Sequence, residues 1–299
     1  MKRNEKTITE MDAARAEANR KRLETMRANL SKLENEARDI IEHGADNLTV
    51  CDRLRLLQLV KTAYHDSGKI EGVFSVDSTA ACDFCSAMRK AAEDNCLIIC
   101  GACYAAADEY KEAAWRRHKL NALIFGTVLF TVDELKTLHI DGGLCRFNED
   151  GDTVNETMAR NYLRITFGRL HTNFGYWYKN AVAVEAGLHA EGIYTREQLP
   201  KNVRFIHSSL LIGFPCALTW FDDARFTVFP DKETTEEAIK NGAYACNGRR
   251  CRACGYNCYL MERPEKPIDI AEYLRTCAAN RAVILSAYYE RRARIDGSI

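Results

Sequence analysis

The sequence lacks long apolar runs, an excess of either charge and several common catalytic motifs. No stretch approaches the roughly 20 uncharged apolar residues of a membrane span, and the first residues lack the apolar core of a signal peptide. The 42 basic and 42 acidic residues cancel, so bulk charge predicts no nucleic-acid, membrane or acidic partner. Walker, GxGxxG, GxSxG and HExxH motifs are also missing. These absences predict a cytoplasmic protein without membrane contact.

Cysteine, by contrast, is abundant. The 13 cysteines do not indicate a disulfide scaffold, because cytoplasmic thiols stay reduced and a chain of 299 residues can bury a core without cross-links. Two windows hold most of them, Cys82, Cys85, Cys96, Cys100 and Cys103 in the first and Cys246, Cys251, Cys254 and Cys258 in the second. The scattered others, Cys51, Cys145, Cys216 and Cys277, are expected to be small buried hydrophobes. The clustering predicts metal binding.

The terminal regions carry helical patterns. Residues 7–43 contain neither Gly nor Pro and have a helical seam of about two and a half heptads. This helix either self-associates as a coiled coil or lies on its own domain. Gly44 should end it, a second helix is expected over residues 47–64, and a last one over residues 268–294.

Between these helices, residues 69–78 have a strand pattern, and a long amphipathic helix is expected over residues 104–121, after the first cysteine window. Residues 142–242 then alternate between strand patterns at 142–148, 175–180, 203–211 and 225–230 and helix patterns at 154–170, 181–192 and 234–242, which predicts a parallel sheet or βα barrel. The roughly 140 residues between the cysteine windows are too few for eight βα units of 30 or more residues. The predicted fold is therefore α/β, a partial TIM-like βα barrel with cysteine-rich metal loops and long N- and C-terminal helices. Its parts would be an N-terminal helical region (1–66), a βα core with the first cysteine window (67–245) and a C-terminal cysteine cluster with a helix (246–299).

The first window offers three sulfurs from one loop. Cys96, Cys100 and Cys103 have gaps of three and two, which suits a 4Fe–4S cluster with one open iron. The arrangement resembles the signature of radical S-adenosylmethionine enzymes, in which the open iron binds the cofactor and the loop follows the first barrel strand. This family usually has an aromatic residue before the third cysteine, where this chain has Ala102.

The same resemblance implies further contacts to S-adenosylmethionine. Tyr104 follows the third cysteine, and the DGG segment with Gly142 and Gly143 is the candidate for the glycine-rich strand that contacts the cofactor. A rival ligand set pairs Cys82 and Cys85 with the CxxC at residues 100–103, close to the spacing of zinc ribbons. Such a site would hold a structural zinc ion, and the sequence leaves both metals open.

The second window is an equally strong metal candidate. Cys246, Cys251 and Cys254 have the four-two spacing of plant-type ferredoxins, but Cys258 is nearer than that fold allows. The set therefore suits either a 4Fe–4S cluster or zinc. Arginines in the Arg249–Arg252 stretch would offset the negative charge of a thiolate-bound cluster or contact phosphate.

A family resemblance rests on the order of several short motifs. These are CxxCYA at 100–105, Arg116, Arg117 and Asn121, RFNEDGD at 146–152, YKN at 178–180, PKNVRFIHSS at 200–209 and a cysteine cluster after TVFPD. Together they resemble the phage gene product 88 family over residues 69–260. The resemblance implies a phage or mobile-element setting and a barrel-like domain bearing the cysteines.

Polar residues at predicted strand ends are the candidate catalytic groups. Arg146, Asp150 and Asp152 follow one strand, Lys179 ends the next, and His207 ends a third. At one barrel mouth they would supply cations for a carboxylate or phosphate and acids for proton transfer. The structural alternatives are a turn, a solvated charge and a hydrogen-bonded core histidine.

Two functional hypotheses follow. The first is an iron–sulfur enzyme with S-adenosylmethionine as a second cofactor and an unknown substrate, in which the second window anchors the fold or relays electrons. The second is a zinc-stabilised phage protein without catalysis that binds nucleic acid or a host protein through Arg249–Arg252 and the N-terminal helix.

Overall fold

Eight described strands form one sheet. The computed structural model describes residues 2–44, 47–65, 70–78, 83–102, 112–140, 143–149, 151–246, 258–259, 262–274 and 278–297. The strands are β1 (Ala63–Tyr64), β2 (Phe74–Val76), β3 (Leu144–Phe147), β4 (Asn173–Tyr178), β5 (Val203–Ser208), β6 (Ala224–Phe229), β7 (Tyr244–Ala245) and β8 (Ile268–Tyr273).

Helices follow most of these strands. They are α1 (Lys2–Gly44), α2 (Val50–Leu59), α3 (Asp83–Asp94), α4 (Glu112–Thr127), α5 (Val132–Leu135), α6 (Glu156–Phe167), α7 (Ala181–Ala190), α8 (Lys232–Lys240) and α9 (Ala278–Ile295), with short 3-10 turns at Ile99–Ala102 and Arg196–Gln198. The predicted α/β class is confirmed. No helix within the described ranges is both long and apolar enough to cross a bilayer.

The strand order is β1-β2-β3-β4-β5-β6-β8-β7. Strands β2 to β6 pair in parallel in chain order, β6 pairs in parallel with β8, and β1 runs antiparallel to β2. Parallel strands in chain order require crossovers, which helices such as α6 and α7 supply. The carboxyl ends of β2 to β6 consequently share one edge of the sheet.

One face of the sheet packs against helices through aromatic side chains. The Phe147 ring of β3 stacks on Tyr162 of α6 with 4.4 Å between centroids, and on Phe174 of β4 at 5.2 Å. These side chains are fully buried, and each such burial stabilises the fold by about 1.5–3 kcal/mol. This layer fixes β3 and β4 against the helices.

Side chains alternate between the two faces along each strand, and the opposite face packs against Cys246 and Cys258 of the second cysteine window. The side chains on this face include Trp177, Ile206, Phe226 and Ile270, which pack with Cys246 and Cys258. We call this surface the cysteine face.

The prediction of one helix over residues 268–294 is wrong at its start. Ile268–Tyr273 form β8, which pairs with β6 on one side and β7 on the other, and the helix begins at Ala278. Ile268 and Ile270 alternate with polar residues and pack on the cysteine face. Burial in a parallel sheet outweighs the helical spacing that suggested a continuous helix.

The N-terminal helix ends at Gly44 as predicted. Ala37 and Ile41 are buried in the main core, so this part of α1 lies on its own domain. The described side chains from Glu17 to Ser31 are half-buried or exposed. Self-association through this stretch stays a prediction.

The second helix is shorter than predicted. Of the helix expected over residues 104–121, residues 104–111 lie outside the described residues and the rest belongs to α4. Thr49 and Asp52 form a capping box at the start of α2, which satisfies two backbone N–H groups and fixes where the helix begins. Arg53 on the next position reaches Glu134 of α5, with 2.6 Å between Nε and Oε1. This ion pair links α2 to α5.

We expect Glu134→Gln to destabilise the protein in a pH-dependent way. Hydrogen bonds from Arg53 lower the pKa of Glu134 to about 2, against the opposing effect of burial and with further help from Thr131. A lowered pKa gives stability that is complete above the unfolded-state value and is lost as the pH falls through about 2. Urea unfolding should show a loss of about 1–2 kcal/mol at pH 7, because partial hydration weakens the pair.

The control is Asp133→Asn. It removes an exposed ion pair with Lys136, which should contribute little to the free energy of unfolding. Equal effects of the two substitutions at pH 7 would contradict the assignment.

Candidate functional site

Part of the predicted site lies outside the described residues. This holds for Cys82, Cys103, Tyr104, Gly142, Asp150, Cys251 and Cys254, while Cys85 is described only by its backbone in α3. The predicted site residues that lie within the described ranges are Arg146, Asp152, Lys179, His207, Gly143, Cys96, Cys100, Cys246 and Cys258.

A buried polar cluster follows the carboxyl end of β2. Asp77 is 2% exposed, and its Oδ2 accepts a 2.6 Å hydrogen bond from the Ser75 hydroxyl. The Glu149 backbone N–H donates to Oδ1 at 2.8 Å, and Nε2 of His118 from α4 lies 3.7 Å from Oδ2. The ends of β2 and β3 are thus joined through one carboxylate.

Arg146 belongs to the same cluster. Its guanidinium lies 4.3 Å from the Trp177 ring centroid on the cysteine face, and Nε2 of His65 lies 2.9 Å from Oε2 of Glu149. Burial raises the pKa of Glu149, but the hydrogen bond from His65 and the charge of Arg146 outweigh it and leave the pKa below its usual range. This arrangement holds an anionic carboxylate beside an imidazole and a guanidinium, which suits proton exchange and anion binding.

Sequence reasoning found Arg146 but missed its neighbours. Asp77 is the next-to-last residue of the strand predicted over residues 69–78, and Glu149 lies inside the RFNEDGD motif, so the strand-end argument could have included both. His65 and His118 had no such signal, because they come from β1 and α4 and reach the cluster only through the tertiary fold.

Asp152 is fully buried and holds a turn. Its carboxylate accepts backbone N–H groups from Thr153 at 2.7 Å, Lys179 at 2.9 Å and Asn180 at 3.3 Å. Burial raises its pKa, although Lys179 and the backbone N–H groups oppose this shift. Asp152 therefore ties the loop after β3 to the loop after β4.

Gly143 lies elsewhere. It precedes β3, and its carbonyl accepts a 2.8 Å hydrogen bond from the Asn173 N–H at the start of β4. This amino-end position is at the opposite edge of the sheet from Asp77. The structure does not bring Gly143 to the polar cluster.

His207 lies one residue before the end of β5 and faces the helices, on the other side of the sheet from Arg146. Its ring stacks on Tyr178 with 5.0 Å between centroids, and Nδ1 lies 3.3 Å from Oδ2 of Asp222. The Tyr178 hydroxyl also donates to Asp222. Cys216, predicted from the sequence to be a buried hydrophobe, is half-buried.

The first cysteine window reaches the loop after β5. The Ile99 N–H donates to the Leu210 carbonyl at 2.8 Å, and the Ile212 N–H donates to the Leu97 carbonyl at 2.8 Å. Cys96 is half-buried and Cys100 is 7% exposed. These bonds hold both cysteines at the edge where the strands end.

Two cysteines of the second window, Cys246 and Cys258, are described, and both pack on the cysteine face. Cys246 follows β7 and its N–H donates to the Ala271 carbonyl of β8 at 2.8 Å. Cys258 and Tyr259 lie directly over Gly175 of β4, where a Cβ atom would stand 2.9 Å from Tyr259 Cε1 and 3.1 Å from the Cys258 carbonyl oxygen. Only glycine leaves room for this approach.

Within the described residues, no three His, Cys, Asp or Glu side chains form a metal-binding group. The thiols of the two windows that lie within the described residues are those of Cys96, Cys100, Cys246 and Cys258. No family model, curated protein or solved structure matches the chain. Function must be argued from this chain's own residues.

We expect His207 to titrate near pH 9 in the folded protein. Burial lowers its pKa, but the hydrogen bonds to Asp222 and Cys216 outweigh this and raise the pKa to about 9. A raised pKa gives stability that is complete below about pH 6.5 and is lost as the pH rises through about 9. NMR titration of the imidazole should show this midpoint and a lower one in Asp222→Asn.

The control for this titration is Asp269→Asn, which removes a carboxylate paired with Arg225 and should leave the His207 midpoint unchanged. A midpoint near 6.5 in the unsubstituted protein would contradict the assignment.

Gly175→Ala should displace the Cys258–Tyr259 segment and destabilise the protein by about 1–3 kcal/mol, as overpacking in a core does. Urea unfolding measures the loss. Gly126→Ala in α4 is the control, since its nearest contact would be an ordinary 3.7 Å. Equal stability of the two variants would show that Cys258 does not lie over β4.

Proposed function

We propose that the protein is an iron–sulfur protein of a phage or mobile element, with a radical S-adenosylmethionine type of site at the carboxyl edge of a partial βα barrel. The observation that supports this most is the path of the first cysteine window. It leaves the end of β2 and pairs, through Leu97 and Ile99, with the loop after β5.

The strand order supports the barrel. Six parallel strands, β2 to β6 and β8, follow one another in chain order, as in the βα barrels whose sites lie at the carboxyl edge. Strands β2 and β5 are three steps apart, about 14 Å in an uncurled sheet. The backbone hydrogen bonds between residues 97–99 and the loop after β5 are compatible with a sheet curled around the cysteine face.

The thiols would divide the metal binding between two places. Cys96, Cys100 and Cys103 would hold a 4Fe–4S cluster at the carboxyl edge, and the second window would hold another metal centre on the cysteine face. A bound cluster supplies single electrons and S-adenosylmethionine supplies the group that they reduce.

The chain's own polar residues would serve the substrate. Arg146 would bind a carboxylate or phosphate beside Trp177. Asp77, Glu149 and the two neighbouring imidazoles would hold or move protons at the ends of β2 and β3. Asp152 and Lys179 would keep the adjoining loops in place.

The second candidate is a zinc-stabilised binding protein without catalysis. The exposed and half-buried side chains of α1 from Glu17 to Ser31 favour it, because such a stretch is available to a nucleic acid or a protein. The Arg249–Arg252 stretch would add positive charge.

Metal and acid-labile sulfide analysis of anaerobically purified protein tests the proposal. We expect a brown protein with iron and sulfide. Cys100→Ser and Cys254→Ser should each remove part of both, because each takes one thiolate from a different window. Cys51→Ser, which changes an exposed thiol on α2, should remove none.

Circular dichroism would show that the variants remain folded. Zinc without sulfide would replace the proposal by the second candidate. Protein free of metal, or metal content unchanged in both window variants, would overturn both.

A further inference from the structure

The sheet buries an arginine on the side of the second cysteine window. Arg204 of β5 is 2% exposed. In the sheet register it stands beside Gly175, the residue over which Cys258 packs. Two residues further along β5, Ile206 also contacts the cluster that contains Cys258. Arg204 therefore belongs to the cysteine face.

None of the three guanidinium nitrogens of Arg204 has a hydrogen-bond partner within the described residues. Its nearest ion-pair partner there is Asp223, with 4.0 Å between Nη1 and Oδ1. A buried guanidinium without hydrogen bonds loses its hydration and gains little in return. Burial accordingly lowers the pKa of Arg204 to about 10, which still leaves it protonated at neutral pH.

Asp223 is already shared with two other arginines. Arg263 Nη1 lies 2.5 Å from its Oδ2 and Arg196 Nη2 lies 2.9 Å from its Oδ1. The Phe205 backbone N–H donates to Oδ2 at 3.0 Å. Burial raises the pKa of Asp223, and its single carboxylate can balance only one of the three guanidinium groups, so a further anion would stabilise this cluster.

Metal–thiolate centres have the matching charge. Four thiolates around a zinc ion or around an oxidised 4Fe–4S core carry a net charge of about −2. Cys258 lies over Gly175, which is the neighbour of Arg204 on β4 in the sheet register, so this described end of the second window reaches the part of the cysteine face that holds the guanidinium. A free phosphate would supply similar charge but would have no reason to lie beside the cysteines.

We propose that Arg204, together with Arg196 and Arg263 around Asp223, is the buried cationic partner of an anionic metal–thiolate centre formed by the second cysteine window. This rests on the metal site of the proposed function and applies to either metal. Arg204 is a positioning residue that favours the thiolate form of the ligands and, with iron, makes reduction of the cluster easier.

The test compares Arg204→Met with Arg204→Lys, each also in the Cys100→Ser background to isolate the second window. Chelator competition should show about tenfold weaker metal binding for Arg204→Met, as for other groups that support metal ligands. With iron bound, its midpoint potential should fall. Arg204→Lys keeps the charge and should recover most of both properties.

Thermal unfolding provides a readout that a merely structural role would not give. Metal-free Arg204→Met should melt above the unsubstituted protein, because an uncompensated buried charge is gone, and metal-loaded Arg204→Met should melt below it. The control, Arg225→Met, removes an arginine from the adjoining strand that pairs with Asp269. It should show no such reversal.

Each outcome separates the two proposals. If Cys254→Ser changes no metal content, the metal site itself is absent and the proposed function fails at this window. If metal binds but Arg204→Met behaves like Arg225→Met, the role of Arg204 is overturned. If inorganic phosphate stabilises the metal-free protein but not Arg204→Met, the partner is a diffusible anion and the inference is also overturned.

Discussion

Parallel pairing in chain order is the constraint on which the arrangement of this protein depends. It brings the ends of β2, β3, β4 and β5 to one edge, and side-chain alternation then sorts neighbouring residues onto opposite faces. Arg146 and His207 both lie near strand ends, yet the first faces Trp177 and the second stacks on Tyr178. A residue at the end of a strand lies at the carboxyl edge of the sheet. Whether its side chain points to one face or the other alternates along the strand, and only residues on the same face can act together.

Asp152 and Arg204 are both buried, but they differ in the hydrogen-bond partners that surround them. Asp152 accepts three backbone N–H groups, which explains its burial as support for two loops. Arg204 donates no hydrogen bond to the described residues and shares Asp223 with two other arginines. The first charge is accounted for within the fold, whereas the second points to a partner beyond it.

Local patterns predicted the middle of the chain well. Apolar alternation and helical spacing located β3 to β6 and the helices between them, because each of these segments buries one face. The pattern failed at Ile268–Tyr273, where pairing with both β6 and β7 outweighs a helical spacing. The site was harder, since His65 and His118 meet Asp77 and Glu149 only through the tertiary fold. Arg204 resembles an ordinary solvent-facing residue of an alternating strand, and only the structure shows that its face is covered.

The hydrogen bonds between residues 97–99 and 210–212 also impose an order on biosynthesis. The segment around Cys96 and Cys100 is translated long before its backbone partners, so it cannot reach its final conformation while the ribosome is still making β3, β4 or β5. The thiols of Cys96 and Cys100 in the nascent chain therefore remain without these backbone contacts until more than two thirds of the polypeptide has been synthesised.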